Sequence, residues 1–161
     1  MRLLMMFLVM LVCATGTAHA AGPLENGIAA YLRSDFATAQ RLLNPLAEDG
    51  DARAQVVMGV MYETGLGVTR DYKAAATWYR KAADQGNARA QYNLGTLYER
   101  GDGVPRDEVQ ALKWYTLSVT RFGPSQLETA DAVKMATTGL AARMKPAQVE
   151  QARKLAQEWK S

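Results

Sequence analysis

A shift of 36 residues lays the middle of this chain onto itself. Gly50 falls on Gly86, Ala54 on Ala90, Gln55 on Gln91 and Gly59 on Gly95. Tyr62-Glu63 falls on Tyr98-Glu99, Gly65 and Gly67 on Gly101 and Gly103, Asp71 on Asp107, and Trp78-Tyr79 on Trp114-Tyr115. A fixed period of this size marks a stacked repeat, in which each unit is one supersecondary element unable to bury its apolar face alone. Whatever residues 50–121 form, they form it twice, and the copies must pack on each other.

Within each unit the spacing is helical. Ala52, Gln55, Gly59 and Tyr62 lie three, four and three residues apart, on one helical face, and the pattern recurs 36 residues on, which assigns these positions to packing. A glycine inside a helix costs about 1 kcal/mol relative to alanine. Its recurrence at Gly59 and Gly95 implies a partner helix too close for a methyl group. Gly65 and Gly101 fit helix stops in the left-handed conformation, and Gly67 and Gly103 let the loop turn. Asp71 and Asp107 are natural N-caps for the second helices, with Gln110 placed to complete a capping box at Asp107. Ala75, Trp78, Tyr79 and Ala82 would face the first helix. The period of Trp78 and Trp114 argues for core packing over cofactor stacking.

The run Tyr62-Glu63-Thr64-Gly65-Leu66-Gly67-Val68, followed by Asp71, Lys73-Ala74-Ala75, Trp78-Tyr79, Lys81-Ala82-Ala83 and Gly86, resembles the Sel1-like repeat family, relatives of the tetratricopeptide repeats. The second unit is looser in its second helix, where Val109-Gln110 replaces Lys73-Ala74 and Ser118-Val119 replaces Ala82-Ala83. The resemblance implies an all-α fold, a short right-handed α-solenoid of stacked antiparallel helical hairpins that serves as a protein-interaction scaffold. It implies no chemistry. Some exported Sel1-like proteins pair cysteines between helices; this chain departs from them.

The start of the chain reads as a signal peptide. A basic head at Arg2 precedes an unbroken apolar run from Leu3 to Val12, and Ala18-His19-Ala20 offers small residues at the outer positions of a cleavage site. The alternative is a membrane anchor, but a spanning helix needs about 20 apolar residues, and Thr15, Gly16 and Thr17 interrupt this one. Met10-Leu11-Val12 before Cys13 lacks the features of a lipid-attachment site. Cleavage after Ala20 predicts a periplasmic protein, with secretion as the alternative. It would also remove Cys13 and His19, the sole cysteine and histidine. Disulfides, Cys/His zinc sites, cysteine nucleophiles and Ser-His-Asp triads would go with them. No cofactor or metal is expected.

The remaining sequence divides by register. Residues 21–49 read as a degenerate tetratricopeptide-like hairpin. Its spacing from Gly27 to Phe36 is four residues shorter than from Gly59 to Tyr72, and Pro45 should kink its second helix. Residues 50–85 and 86–121 are the full units. Residues 122–161 break the register: Ser125-Gln126-Leu127-Glu128 fits a capping box, and Pro146 the first position of a last helix bearing Val149, Ala152, Ala156 and Trp159. These helices read as a cap on the last repeat; their apolar stripe could instead bind a partner. The mature charge of +2 is spread, without the basic stripe of a nucleic-acid reader, and no mature segment is long and apolar enough to span a bilayer.

By resemblance, the first helices line a concave groove. Aligned on Gly59 and Gly95, the matching positions are Arg53, Val56, Val60 and Glu63, then Arg89, Tyr92, Thr96 and Glu99. The charged ends recur while the centres vary, as a peptide-binding groove would want. The alternative is a solvated face whose charge pairs contribute about 0.2–0.5 kcal/mol each. The leading expectation is an exported scaffold that binds a protein or peptide of the cell envelope, is not an enzyme, and assembles as a homo-oligomer if two and a half repeats give too short an arc. A rival is a hydrolase of envelope polymers using Glu63 and Glu99 as a carboxylate pair, yet equivalent repeat positions offer similar environments where acid–base catalysis needs different ones. The β-lactamase motif Ser-x-x-Lys is absent at Ser34, Ser118, Ser125 and Ser161. Glycan binding would need exposed rings, and Tyr92 is the one good groove candidate.

Overall fold

The structure, a computed structural model, describes residues 22–122 and 127–159. The segment read as a signal peptide lies outside them, as do Ser125 and Gln126 of the expected capping box. Every regular element among the described residues is an α-helix: α1 (Pro23–Leu32), α2 (Phe36–Glu48), α3 (Ala52–Thr64), α4 (Tyr72–Asp84), α5 (Ala88–Arg100), α6 (Glu108–Val119), α7 (Leu127–Arg143) and α8 (Pro146–Gln157). Pro45 lies in the last turn of α2, which runs on through it to Glu48.

The helices start where a short acceptor side chain meets free N–H groups. Asp51 accepts from Ala54 N at 2.8 Å and Asn87 from Ala90 N at 3.0 Å. Asp71 accepts from Lys73 N and Ala74 N, and Asp107 from Val109 N and Gln110 N, all at 2.9–3.0 Å. Such caps are each worth about 1 kcal/mol. The capping box expected at Asp107 is only half formed. The Asp107 N–H that Gln110 would have taken donates instead to Tyr98 O at 2.9 Å, as Asp71 N does to Tyr62 O. Gly65 and Gly101 end α3 and α5 at φ 77° and 81°.

The hairpins close on glycine. A Cβ on Gly59 would stand 2.4 Å from Tyr79 Cε1, and one on Gly95 2.7 Å from Tyr115 Cδ1. The degenerate first hairpin uses the same device, with Gly27 against Leu43 at 2.6 Å. The tyrosine ring lies over the bare helix backbone, so one residue provides both the close approach and the buried area.

Neighbouring hairpins are joined by polar as well as apolar contacts. Gln55 Nε2 donates to Ala47 O at 3.0 Å, and Gln91 Nε2 to Ala83 O at 3.1 Å, each satisfying a carbonyl at the end of the preceding helix. Gln85 bonds Gln55 Oε1 at 2.9 Å. Its counterpart 36 residues on is Arg121, which lies over the Trp159 ring, and Gln91 Oε1 has no partner among the described residues. Gly103 brings the second loop onto the first turn of α4, where a Cβ would be 2.3 Å from Tyr72 C and O. The apolar core fills the gap between repeats with Ala75, Tyr79, Ala82, Ala90, Leu94 and Leu97, all fully buried.

The last two helices both pack on α6. Leu140 of α7, Met144 just after it and Ala152 of α8 share a cluster with Ala111, Leu112 and Tyr115. Ala156 and Trp159 join Trp114 and Leu117 in the core that also fills the inter-repeat gap. The result is an α-solenoid of hairpins with helices laid against its last unit.

Candidate functional site

The eight groove positions do not form one uniform surface. Arg53 and Arg89 are exposed, one near the start of α3 and one near the start of α5. Arg53 Nη1 pairs with Glu25 Oε1 of α1 at 3.3 Å, and both side chains are at least half exposed, so the pair is worth at most about 1 kcal/mol. Val56 and Val60 are half-buried and pack against the core between the repeats. They serve stacking more than they offer contacts to a guest.

The two glutamates hold the hairpins. Tyr79 Oη donates to Glu63 Oε2 at 2.6 Å, and Tyr115 Oη to Glu99 Oε2 at 2.6 Å. Asn93 of α5 also reaches the Tyr79 hydroxyl. Burial first, then the bond to Glu63, raises the Tyr79 hydroxyl far above the ordinary value of 10.0; burial and Glu99 raise Tyr115 in the same way. Both therefore stay protonated donors. Burial pushes the Glu99 carboxyl up, but the hydrogen bonds from Tyr115 and Arg143 and the charges of Arg143 and Arg100 outweigh it, so its pKa lies below the ordinary 4.5. A general acid needs the opposite shift. Glu63 and Glu99, expected as charges that orient a guest, are each engaged by a tyrosine from their own repeat.

In the second repeat the remaining predicted residues converge. Tyr92, Thr96 and Glu99 line a cleft of about 470 Å³ together with Tyr115, Arg100, Arg106, Ala136 and Arg143. The Tyr92 and Tyr115 rings lie 5.5 Å apart at 31°, and Thr96 Oγ1 shares a hydrogen bond with Tyr115 Oη at 3.1 Å. Arg143, from α7, donates to Glu99. Tyr92 is thus half-buried, not the open stacking platform that glycan binding would use. Sequence reasoning missed Arg100, Arg106 and Arg143. Arg100 had a signal, because it stands where the first repeat has Thr64. Arg143 had none, because α7 lies outside the period.

A larger cleft, about 780 Å³, lies along the loops beside Tyr62, Arg70, Tyr72 and Gly103. Of its side chains, Asp71 caps α4 and Arg70 lies 5.7 Å from the Tyr72 ring centroid. The smaller cleft gathers three of the expected groove residues, Tyr92, Thr96 and Glu99, and is the stronger candidate for a site. Among the described residues no helix is long and apolar enough to cross a membrane.

Stacked helical hairpins with a charged cleft on the first-helix side define an α-solenoid of the tetratricopeptide type. The two full units are Sel1 repeats: the Sel1 repeat family matches residues 52–87 and 88–120. Sel1-repeat proteins are generally protein-interaction scaffolds. Two solved structures are similar. One is a protective antigen present in uropathogenic Escherichia coli strains, which displays an SLR fold; it is 30% identical, with a TM-score of 0.71 over 85% of this chain and 29% of that one. The other is a Sel1 repeat protein from Oxalobacter formigenes, also 30% identical, with a TM-score of 0.65 over 87% of this chain and 55% of that one. The chain thus spans less than two thirds of either protein. No curated protein matches it.

Proposed function

We propose that this protein is an exported scaffold that binds a segment of a cell-envelope protein along its first-helix face, chiefly at the second repeat. The observation that carries the reading is the convergence of Tyr92, Thr96, Glu99, Tyr115 and Arg143 on one cleft. The family's general role as an interaction scaffold supports it. The basic head, apolar run and Ala18-His19-Ala20 support export to the periplasm.

The test is affinity capture from an envelope extract by the wild-type protein and by an Arg53→Ala/Arg89→Ala/Tyr92→Leu variant. Loss of a specific partner by the variant is expected; identical capture by both proteins would remove the groove from consideration. Mass spectrometry of the protein from the native cell is expected to give a mature N-terminus at Ala21.

A further inference from the structure

The cleft in the second repeat differs from the matching place in the first in a way that names a ligand chemistry. At Val56, Val60 and Thr64 the first repeat has two apolar residues and a neutral hydroxyl; the second has Tyr92, Thr96 and Arg100. In the first repeat the two valines are drawn into the core between repeats. In the second, α7 contributes Ala136 and Arg143 to the wall and leaves an open volume of about 470 Å³. That size lies within the usual range for a small-ligand pocket.

The charges there do not balance. Arg100, Arg106 and Arg143 line the cleft with a single carboxylate, Glu99. Glu99 is held by the Tyr115 hydroxyl at 2.6 Å and by the Arg143 guanidinium. Arg106 has a second carboxylate nearby in Glu108, at 2.7 Å. Three guanidiniums thus line the cleft with one carboxylate, and among the described residues Arg106 alone has an ion-pair partner outside it. Guanidinium groups present a planar fork of donors that matches a carboxylate two bonds at a time. The Tyr92 ring supplies an apolar wall beside it.

We propose that this cleft is a carboxylate-recognition pocket, in which Arg100 and Arg106 take an acidic side chain or the C-terminal carboxylate of the bound protein segment. The assignment rests on the groove reading above and deepens it. Arg143 is the positioning residue: with the Tyr115 hydroxyl, it holds the Glu99 carboxylate in place. Glu99 in turn keeps the third guanidinium from making the pocket a general polyanion site.

The experiment is fluorescence anisotropy with the purified protein and labelled dodecapeptides rich in Glu or in Gln, each with a free or an amidated C-terminus. Inorganic phosphate and glutarate serve as competitors. The Glu peptide with a free C-terminus is expected to bind at least tenfold tighter than the Gln amide. Arg100→Gln/Arg106→Gln is expected to weaken it at least tenfold with the melting temperature retained, and Arg33→Gln/Arg41→Gln, exposed on the first hairpin and outside the groove, to change it less than twofold. Retained binding of the Glu amide marks side-chain recognition and of the Gln acid marks terminal recognition; either supports the pocket. Equal binding of all four peptides, no binding at all, indifference to the Arg100/Arg106 change, or phosphate competing better than glutarate would overturn it. The two readings fail separately. Groove-dependent envelope capture without a preference for acidic peptides leaves the scaffold and removes the pocket. Acidic-peptide binding that depends on Arg100 and Arg106, with envelope capture unaffected by the groove variant, does the reverse.

Discussion

Tyr79 places its hydroxyl 2.6 Å from Glu63 Oε2, and thirty-six residues later Tyr115 stands in the same relation to Glu99. The ring seals the hairpin over the glycine, and the hydroxyl ties its rim. A hydrogen bond to a charged partner contributes about 1.5–3 kcal/mol. Tyr79→Phe is therefore expected to lower the unfolding free energy by about that amount. Tyr115→Phe should cost less, because Glu99 keeps its bond to Arg143. Urea denaturation of the two variants measures both, and an unchanged midpoint for Tyr79→Phe would show the bridge to be idle.

The Glu99 carboxyl titrates below its ordinary 4.5 in the folded protein. Its ionised form is the one that the fold stabilises. The contribution is thus fully present above the unfolded pKa and is lost as pH falls through the depressed folded value. Glu99→Gln should be destabilising near neutral pH, and the gap from wild type should close as the solution is taken below that value. Thermal melts of both proteins across this range check the sign: a gap that widens on acidification would contradict the assigned shift.

The architecture was legible because the period states each packing decision twice. Gly59 and Gly95 read as points of close approach, and the clash distances with Tyr79 and Tyr115 show it. The polar contacts were harder. Gln55 and Gln91 read as packing residues, and they are buried, but they also bond Ala47 O and Ala83 O across the repeat boundary. Glu63 and Glu99 read as groove charges because sequence shows a helical face and not the reach of a tyrosine sixteen residues later. Arg143 was invisible for a different reason. Its place beside Glu99 depends on how Leu140 and Met144 seat α7 against α6, a tertiary contact with no periodic echo.

Alanine at Gly59 or Gly95 forces a methyl into the tyrosine ring, at 2.4 Å and 2.7 Å from the nearest atom. Overpacking of this kind costs about 1–3 kcal/mol, which exceeds the gain of about 1 kcal/mol from better helix propensity. Both variants should melt lower. Gly139 of α7 is the control, since a Cβ there meets nothing within 4 Å. Gly139→Ala should be neutral or stabilising, so a loss at all three positions would mean that helix-interior glycines matter here for some reason other than close approach.

The two repeat tryptophans differ in what covers them. Trp78 is half-buried, with Lys81 Nζ 4.3 Å from its ring centroid. Trp114 is 0% exposed, and the Trp159 ring stands edge-on to it at 6.3 Å and 72°. Arg121 in turn lies 4.7 Å from the Trp159 centroid, which closes the end of the stack with a cation over an aromatic face. Here α8 supplies the apolar neighbour that a stacked hairpin supplies elsewhere in the array. Removing a buried tryptophan costs about 3–5 kcal/mol; Trp159 is half-buried, so Trp159→Ala should cost about 2 kcal/mol. In a Trp78→Phe background the same change should shift Trp114 emission to longer wavelength and make it accessible to acrylamide. If emission and quenching stay as they were while the protein is destabilised, α8 contributes through its alanines, and the tryptophan is not what shields the end of the solenoid.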